Sequence, residues 1–337
     1  VIGSTNLDRI EAIATDQLGN IYSVGGFMDT VDFDPGPGTM NLSIGPWLRV
    51  AFICKWDSSG NYVWAKKQTG GAFPYSLEID SRENIFVMGT FSDSIRFESN
   101  TTSATVYTPF RDAFIAKLDT NGNHVWVTQM GLDGYANNCA LSPHYEGGVY
   151  IAGTFAGTTN FGPVSTANDI SSISPYAAFA CKLSATGEFE WAQSLTNTIQ
   201  VHGYAISSGT CGTVLLTGRF IEDVDFDPGP GAMNLQSSNG NVYIQKLSDL
   251  PKINQNSSQK IEFTASPNPT SSNLKLNLKT PLCTYTVRIV DLAGNEVFQQ
   301  TYNDLQTIQL TIDNIPGVHL VEISSGNKKT TTKVMKL

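Results

Sequence analysis

The chain has 337 residues, room for two domains of ordinary size, and only 15% of them are charged, with a formal net charge of −9. That balance excludes a general binder of nucleic-acid backbones, which needs Lys and Arg gathered on one face. The five cysteines (Cys54, Cys139, Cys181, Cys211 and Cys283) are odd in number and widely spaced, which excludes a dense disulfide framework and a CxxC metal knuckle.

No apolar run reaches the roughly 18 residues that a spanning helix needs. Val1 opens inside repeat sequence with no leader ahead of it, as expected of a processed chain or a fragment. The first unit reads as four short strands: Ile10 to Thr15, Asn20 to Phe27, Ala51 to Trp56 and Tyr62 to Lys66. Turn formers separate them: Asp16 with Gly19-Asn20, then Pro35-Gly36-Pro37-Gly38, then Ser58 to Asn61. The Gly-Asn pairs suit hairpin turns that need a positive φ.

This unit recurs. Phe27, Phe91, Phe155 and Phe220 close equivalent segments at intervals of 64, 64 and 65 residues. Ala51 to Lys55 returns as Ala113 to Lys117, Ala178 to Lys182 and Val242 to Lys246, and Trp64 returns as Trp126 and Trp191. Four-stranded sheets repeated at this spacing cannot bury both faces alone and are expected to stack as the blades of a β-propeller, with a parallel β-helix the lesser alternative. The fourth unit stops at Leu247-Ser248-Asp249 with no Trp strand after it, so one outer strand is missing where the first and last units would meet. A truncated larger propeller, a four-bladed ring with an open seam, and a seam filled by another subunit or by the chain's own C-terminal part all fit. An unpaired edge there invites strand exchange between copies.

Units of the form GNIYSVGGF, VDFDPGPGTMNL and AFICKWDSSGNYVWAK resemble the bacterial β-propeller repeats common in secreted Bacteroidetes-type proteins. The resemblance covers residues 8–249, implies the fold and leaves the function open. Asp29-Thr30-Val31 and Asp93-Ser94-Ile95 resemble the short O-glycosylation signal of such proteins, and ordinary loop chemistry explains them equally well.

Residues 250–261 break the period and read as a polar linker. Beyond them, alternating segments such as Leu274 to Leu278, Tyr285 to Val290, Ile308 to Ile312 and Val318 to Ile323 predict a small β-sandwich over 262–337. The segments ASPNPTSSNLKLNL, VRIVDLAGNEV and IPGVHLVEISSGNKKTTTKVMKL are similar to the C-terminal sorting domain of the type IX secretion system. The resemblance implies handling by that machinery, export across the outer membrane, and residence at the cell surface or in the medium. It places the sorting motif on Pro267, Asn268, Pro269, Asp291, Gly294, Gly317, Lys333 and Lys336. The expected architecture is all-β: propeller repeats over 1–249, a linker, and a sandwich over 262–337.

The best metal candidates are two acidic turns, Asp223-Val-Asp225-Phe-Asp227 and Asp32-Phe-Asp34, whose alternate carboxylates resemble the spacing by which calcium loops gather oxygens. Pro follows Asp34 and Asp227 where a calcium loop needs Gly, and Arg96 stands at the equivalent place in the second unit. A turn in which Asp bonds backbone amides is therefore favoured over calcium. No cofactor is required by any other motif. Trp64, Trp126 and Trp191 read as packing residues rather than a sugar platform, and Cys54 and Cys181 as small buried hydrophobes. His124, His144, His202 and His319 pair with no nucleophile, and GxSxG, HExxH and GxxxxGK[ST] are absent. The expectation is a non-enzymatic binding or structural protein, self-assembling through the open blade edge. The alternative is a secreted propeller hydrolase or lyase acting on polysaccharide or peptide.

Overall fold

The computed structural model describes residues 2–4, 6–45, 49–98, 103–131, 137–144, 147–160, 169–196, 199–209, 212–227, 231–248, 261–279, 282, 284–303, 305, 307–312, 316–325 and 328–337. Among these residues the structure is all strand and turn, without a helix. The chain divides into two compact units, Val1–Ser208 with Val214–Leu247, and Gly209–Thr213 with Ser248–Leu337. Nearly all of the expected linker lies outside the described residues.

In the first unit, meander 1 uses β1 (Arg9–Thr15), β2 (Ile21–Met28), β5 (Arg49–Trp56) and the start of β6 (Tyr62–Ile79), while β3 (Thr30–Asp32) and β4 (Asn41–Ser43) form a small hairpin. Meander 2 uses the end of β6, then β7 (Ile85–Glu98), β8 (Ser103–Leu118) and β9 (His124–Met130). Meander 3 is β10 (Asn137–Pro143), β11 (Val149–Asn160), β12 (Asp169–Leu183) and β13 (Phe189–Leu195). Meander 4 is β14 (Gln200–Ser208), β15 (Thr213–Ile221) and β18 (Asn241–Ser248), with β16 (Val224–Asp225) and β17 (Asn234–Leu235) as its hairpin. Neighbours within meanders 1 to 3 run antiparallel, as do β14 and β15 of meander 4.

One boundary differs from the sequence reading. The strand expected to stop at Lys66 continues to Ile79, pairing with β5 as far as Gln68 and with β7 from Thr69. Gly70-Gly71 and Pro74 interrupt it only by shifting the register with β7, so the outer strand of meander 1 passes without a loop into the inner strand of meander 2.

Each meander is a sheet with two apolar faces, and the core lies between successive sheets. Tyr22, Val24, Ala51 and Ile53 of meander 1 pack with Leu77, Ile85 and Val87 of meander 2. Phe86, Met88, Ala113 and Ile115 pack with Leu141, Val149 and Ile151 of meander 3. Tyr150, Ala152, Ala178 and Ala180 pack with Ile206, Val214 and Leu216 of meander 4. Strand alternation produces this, since residues at i and i+2 share a face. Each sheet therefore has a leading face toward its predecessor and a trailing face toward its successor.

The recurring Gly25, Gly89 and Gly218 have a steric cause. A Cβ at any of them would overlap the carbonyl oxygen of Arg9, Phe73 or His202 on the adjoining inner strand, beside a register shift in each pairing.

The second unit contains β19 (Phe263–Ser266), β20 (Asn273–Leu278), β21 (Thr284–Asp291), β22 (Glu296–Asn303), β23 (Thr307–Thr311), β24 (Gly317–Ser325) and β25 (Lys328–Lys336). They form a three-stranded sheet, β19-β20-β23, and a four-stranded sheet, β22-β21-β24-β25. The two sheets share one core, with Leu274, Leu276, Leu278, Ile308 and Leu310 meeting Tyr285, Val287, Ile289, Val321, Ile323 and Val334. Alternation is regular here, as in β20, where Leu274, Leu276 and Leu278 are buried while Asn273 and Lys275 are exposed, because each sheet buries one face and wets the other.

Candidate functional site

Most of the Asp side chains with described partners serve the backbone. Asp57 Oδ1 accepts from the amides of Ser59 (2.9 Å) and Asn61 (2.8 Å), and Oδ2 accepts from Asn61 Nδ2 (2.8 Å). Asp16 with Asn20, Asp80 with Asn84 and Asp119 with Asn123 repeat this arrangement. So does Asp291 with Asn295 in the second unit. Gly19, Gly60, Gly122 and Gly294 supply the positive φ three residues after the Asp. The Asn61 side chain and amide hold the Asp57 carboxyl below the usual carboxylate range, and those of Asn295 do the same for Asp291. The sequence reading grouped Asp16 with Gly19-Asn20 as turn formers but did not extend the D-x-x-G-N spacing, with the Asp four places before the Asn, to Asp57, Asp119 and Asp291.

The acidic turns use their oxygens in the same way. Asp32 Oδ1 accepts from the amides of Asp34 (3.0 Å) and Met40 (2.7 Å), and Asp225 Oδ1 from those of Asp227 (2.9 Å) and Met233 (2.8 Å). The Met40 and Met233 amides, followed by those of Asp34 and Asp227, hold the Asp32 and Asp225 carboxyls low. Asp34 Oδ1 accepts from Gly36 N (2.8 Å), and Asp223 Oδ2 from Gln236 Nε2 (3.2 Å). A Cβ at Gly38 or Gly231 would collide with the Asp34 or Asp227 carboxylate, so the second Gly of each turn makes room for it. Among the described residues, no group of three or more His, Cys, Asp or Glu is placed to hold a metal ion.

A left-handed residue recurs two places after the closing Phe in every repeat: Asp29 (φ 60°), Asp93 (65°), Gly157 (69°) and Glu222 (66°). Positive φ is uncommon outside Gly, so its presence at one place in four repeats marks a bend required by the fold. The Asp of both glycosylation-like triplets occupies this bend.

The repeated Trp residues join neighbouring meanders. Trp64 Nε1 donates to Thr120 O (3.1 Å) and Trp126 Nε1 to Ala185 O (2.9 Å), each in a turn of the following meander. A side chain at Gly122 or Gly187 would run into those indole rings. Cys54, Cys139 and Cys181 are buried free thiols, and burial pushes Cys54 and Cys139 up to about 12, far from reactive. His144 lies edge-on to Tyr150, His202 sits between Tyr176 and Tyr204, and His319 is buried with Nδ1 3.2 Å from Gly317 O. Burial, followed by the nearby Arg219, lowers the His202 imidazole.

In the second unit the sorting-motif residues at the two ends come together. Asn268 Nδ2 donates to Lys333 O (3.0 Å), and Asn268 Oδ1 accepts from Met335 N (2.9 Å), so one side chain pairs with β25 as a strand would. Thr270 continues the pairing: its amide donates to Met335 O (2.8 Å), and its carbonyl accepts from Leu337 N (2.9 Å). Pro267 and Pro269, both following cis peptide bonds, flank Asn268. Lys336 Nζ donates to Ile312 O (2.6 Å). Gly294 turns β21 into β22, and Gly317 opens β24 at a φ of 130°.

Residues 264–337 match the family described as the secretion system C-terminal sorting domain. The chain is exported across the outer membrane. It is a Bacteroidetes-type protein of the cell surface or extracellular space, handled by the type IX machinery. The chain is 24% identical over 184 residues to an uncharacterised WD repeat-containing protein of Acanthamoeba polyphaga mimivirus, covering 47% of this chain and 13% of that protein. Among solved structures, the extracellular domain of a hybrid two-component system of B. thetaiotaomicron matches at 12% identity and a TM-score of 0.25, covering 98% of this chain and 50% of that one. The chain thus spans half or less of the length of either relative. No helix among the described residues is long and apolar enough to cross a membrane.

Proposed function

We propose that the exported chain is a non-enzymatic binding or structural protein on a β-propeller scaffold, assembling through the open edge of its last meander. The observation that carries this is β18. Among the described residues meander 4 has three strands where the others have four, and β18 ends its sheet. An exposed strand edge is a template for an added strand. The carboxylates of the repeat turns bond backbone amides, which supports a scaffold role for the acidic turns over calcium binding. Calorimetry with millimolar calcium is expected to give no heat, and a saturable heat would restore the calcium reading.

The test of the main reading is a peptide with the outer-strand sequence of residues 189–195. It is expected to bind the full chain saturably, while a scrambled peptide does not. Failure to bind, or turnover of a polysaccharide or peptide by the purified chain, would overturn this reading, and turnover would put a hydrolase in its place.

A further inference from the structure

Two junctions between meanders are built alike, and one of them lacks a part. At the junction of meanders 1 and 2, the Trp64 indole is held by its bond to Thr120 O and lies against Gly122. Two residues beyond Trp64 on the same strand, Lys66 reaches across the junction. Its Nζ lies 6.0 Å from the centre of the Trp64 ring and donates to Asn123 Oδ1 at 2.8 Å. A lysine of one meander thus joins its own indole to the side-chain oxygen of the next meander's turn.

The junction of meanders 2 and 3 keeps the frame. Trp126 is held by its bond to Ala185 O, meets Phe86 edge-on with ring centres 6.1 Å apart, and lies against Gly187. The residues that made the crossing contact have changed. Thr128 stands where the first junction has Lys66, and Glu188 stands where it has Asn123. A groove of about 390 Å³ opens there, with Trp126, Thr128, Thr186, Glu188 and Phe189 in its lining. Glu188 is exposed, and its carboxylate meets no cation among the described residues, whereas the nearby Glu190 is paired with Lys182 at 3.0 Å.

An indole face attracts an ammonium, and a carboxylate bonds it more strongly than the amide oxygen it replaces. An indole already fixed by its own hydrogen bond loses little freedom when a ligand arrives. The second junction therefore has both partners of the ammonium and lacks the ammonium itself. The chain supplies that group at the first junction, which identifies the occupant the second one fits. The net charge of −9 favours the approach of a cation.

We propose that the groove between meanders 2 and 3 takes a lysine side chain of a partner polypeptide, with its ammonium between the Trp126 ring and the Glu188 carboxylate. Thr128 and Thr186 add hydroxyl oxygens to the same groove. The inference goes beyond the proposed assembly. It uses no residue of β18 and depends only on the correspondence between the two junctions, so its failure would leave the edge reading untouched.

A chemical-shift titration of the full chain tests it. The Trp64 and Trp126 indole N–H signals are the reporters, assigned from Trp64→Phe and Trp126→Phe. The probe is a capped Gly-Gly-Lys-Gly-Gly peptide, and the control is the same peptide acetylated on the lysine Nζ. The lysine peptide is expected to move the Trp126 signal saturably in the millimolar range and to leave Trp64 in place, while the acetylated peptide moves neither. Glu188→Gln is expected to weaken binding about fivefold, the upper end for an exposed ion pair. Thr128→Lys supplies the ammonium from within and is expected to abolish binding with an unchanged circular dichroism spectrum. No saturable shift at Trp126, an equal shift with the acetylated peptide, or full binding by either variant would overturn the proposal. So would a response to a neutral oligosaccharide such as cellotetraose in place of the lysine peptide, which would make the groove a sugar site.

Discussion

The two units solve the burial problem differently. In the second unit, two sheets turn their apolar faces toward each other and enclose one core, with Leu276, Val287, Ile289, Val321 and Val334 all fully buried. In the first unit no sheet is sufficient alone. Every meander borrows its neighbour to cover a face, so the same position is core in the interior and surface at an end. The difference teaches that burial in a repeat array belongs to the junction, not to the residue. It also separates the roles: a self-contained C-terminal unit can carry the export signal whatever array precedes it.

The largest effects should separate junction from end. Leu276→Ala and Leu141→Ala each remove a buried side chain and are expected to cost about 2–5 kcal/mol in denaturant unfolding. Ile13→Ala, at the position equivalent to Leu141, is expected to change the stability of the monomeric chain by less than about 0.5 kcal/mol. Equal losses at Ile13 and Leu141 would break the comparison. A smaller effect belongs to Trp64→Phe, which keeps an aromatic ring but loses the hydrogen bond to Thr120 O. It is expected to cost about 0.5–1.5 kcal/mol and to loosen the first unit alone.

In the second unit, Asn268→Ala removes both side-chain bonds to β25. It is expected to speed hydrogen exchange at Met335 while leaving exchange in β2 and β7 unchanged. The smallest effect is shared by the two units. The Asp57 and Asp291 carboxyls are held below their unfolded value of about 4, so their contribution is present above that pH and fades as the pH falls through the folded values. The unfolding midpoint should drop on acidification below about pH 4, and Asp57→Asn with Asp291→Asn should flatten that drop.

The period was legible because every repeat must present the same two faces and the same Gly at the close approach of its inner strand. Gly25, Gly89 and Gly218 cannot vary without displacing a carbonyl oxygen. The C-terminal alternation was legible for a simpler reason, one wet face per sheet. The continuation of β6 past Lys66 was hidden because Gly70-Gly71 and Pro74 break the strand pattern, and only pairing with β7, shifted in register at both places, shows one strand going on. The acidic turns were ambiguous for a directional reason: spacing shows where the Asp residues lie along the chain, while only the fold shows Asp32 Oδ1 turned toward two amides. The pairing of Asn268 with β25 joins residues 65 and 67 positions apart, and no local pattern reports it.

The most direct test of the whole picture is surface exposure of the chain in a cell with a working type IX system, read by protease digestion of intact cells. The full chain is expected at the surface or in the medium. A chain ending before the sorting domain at residue 262 is expected to stay behind the outer membrane with its repeats folded. Arrival of that shortened chain at the surface in equal amount would contradict the assignment of export to the C-terminal unit.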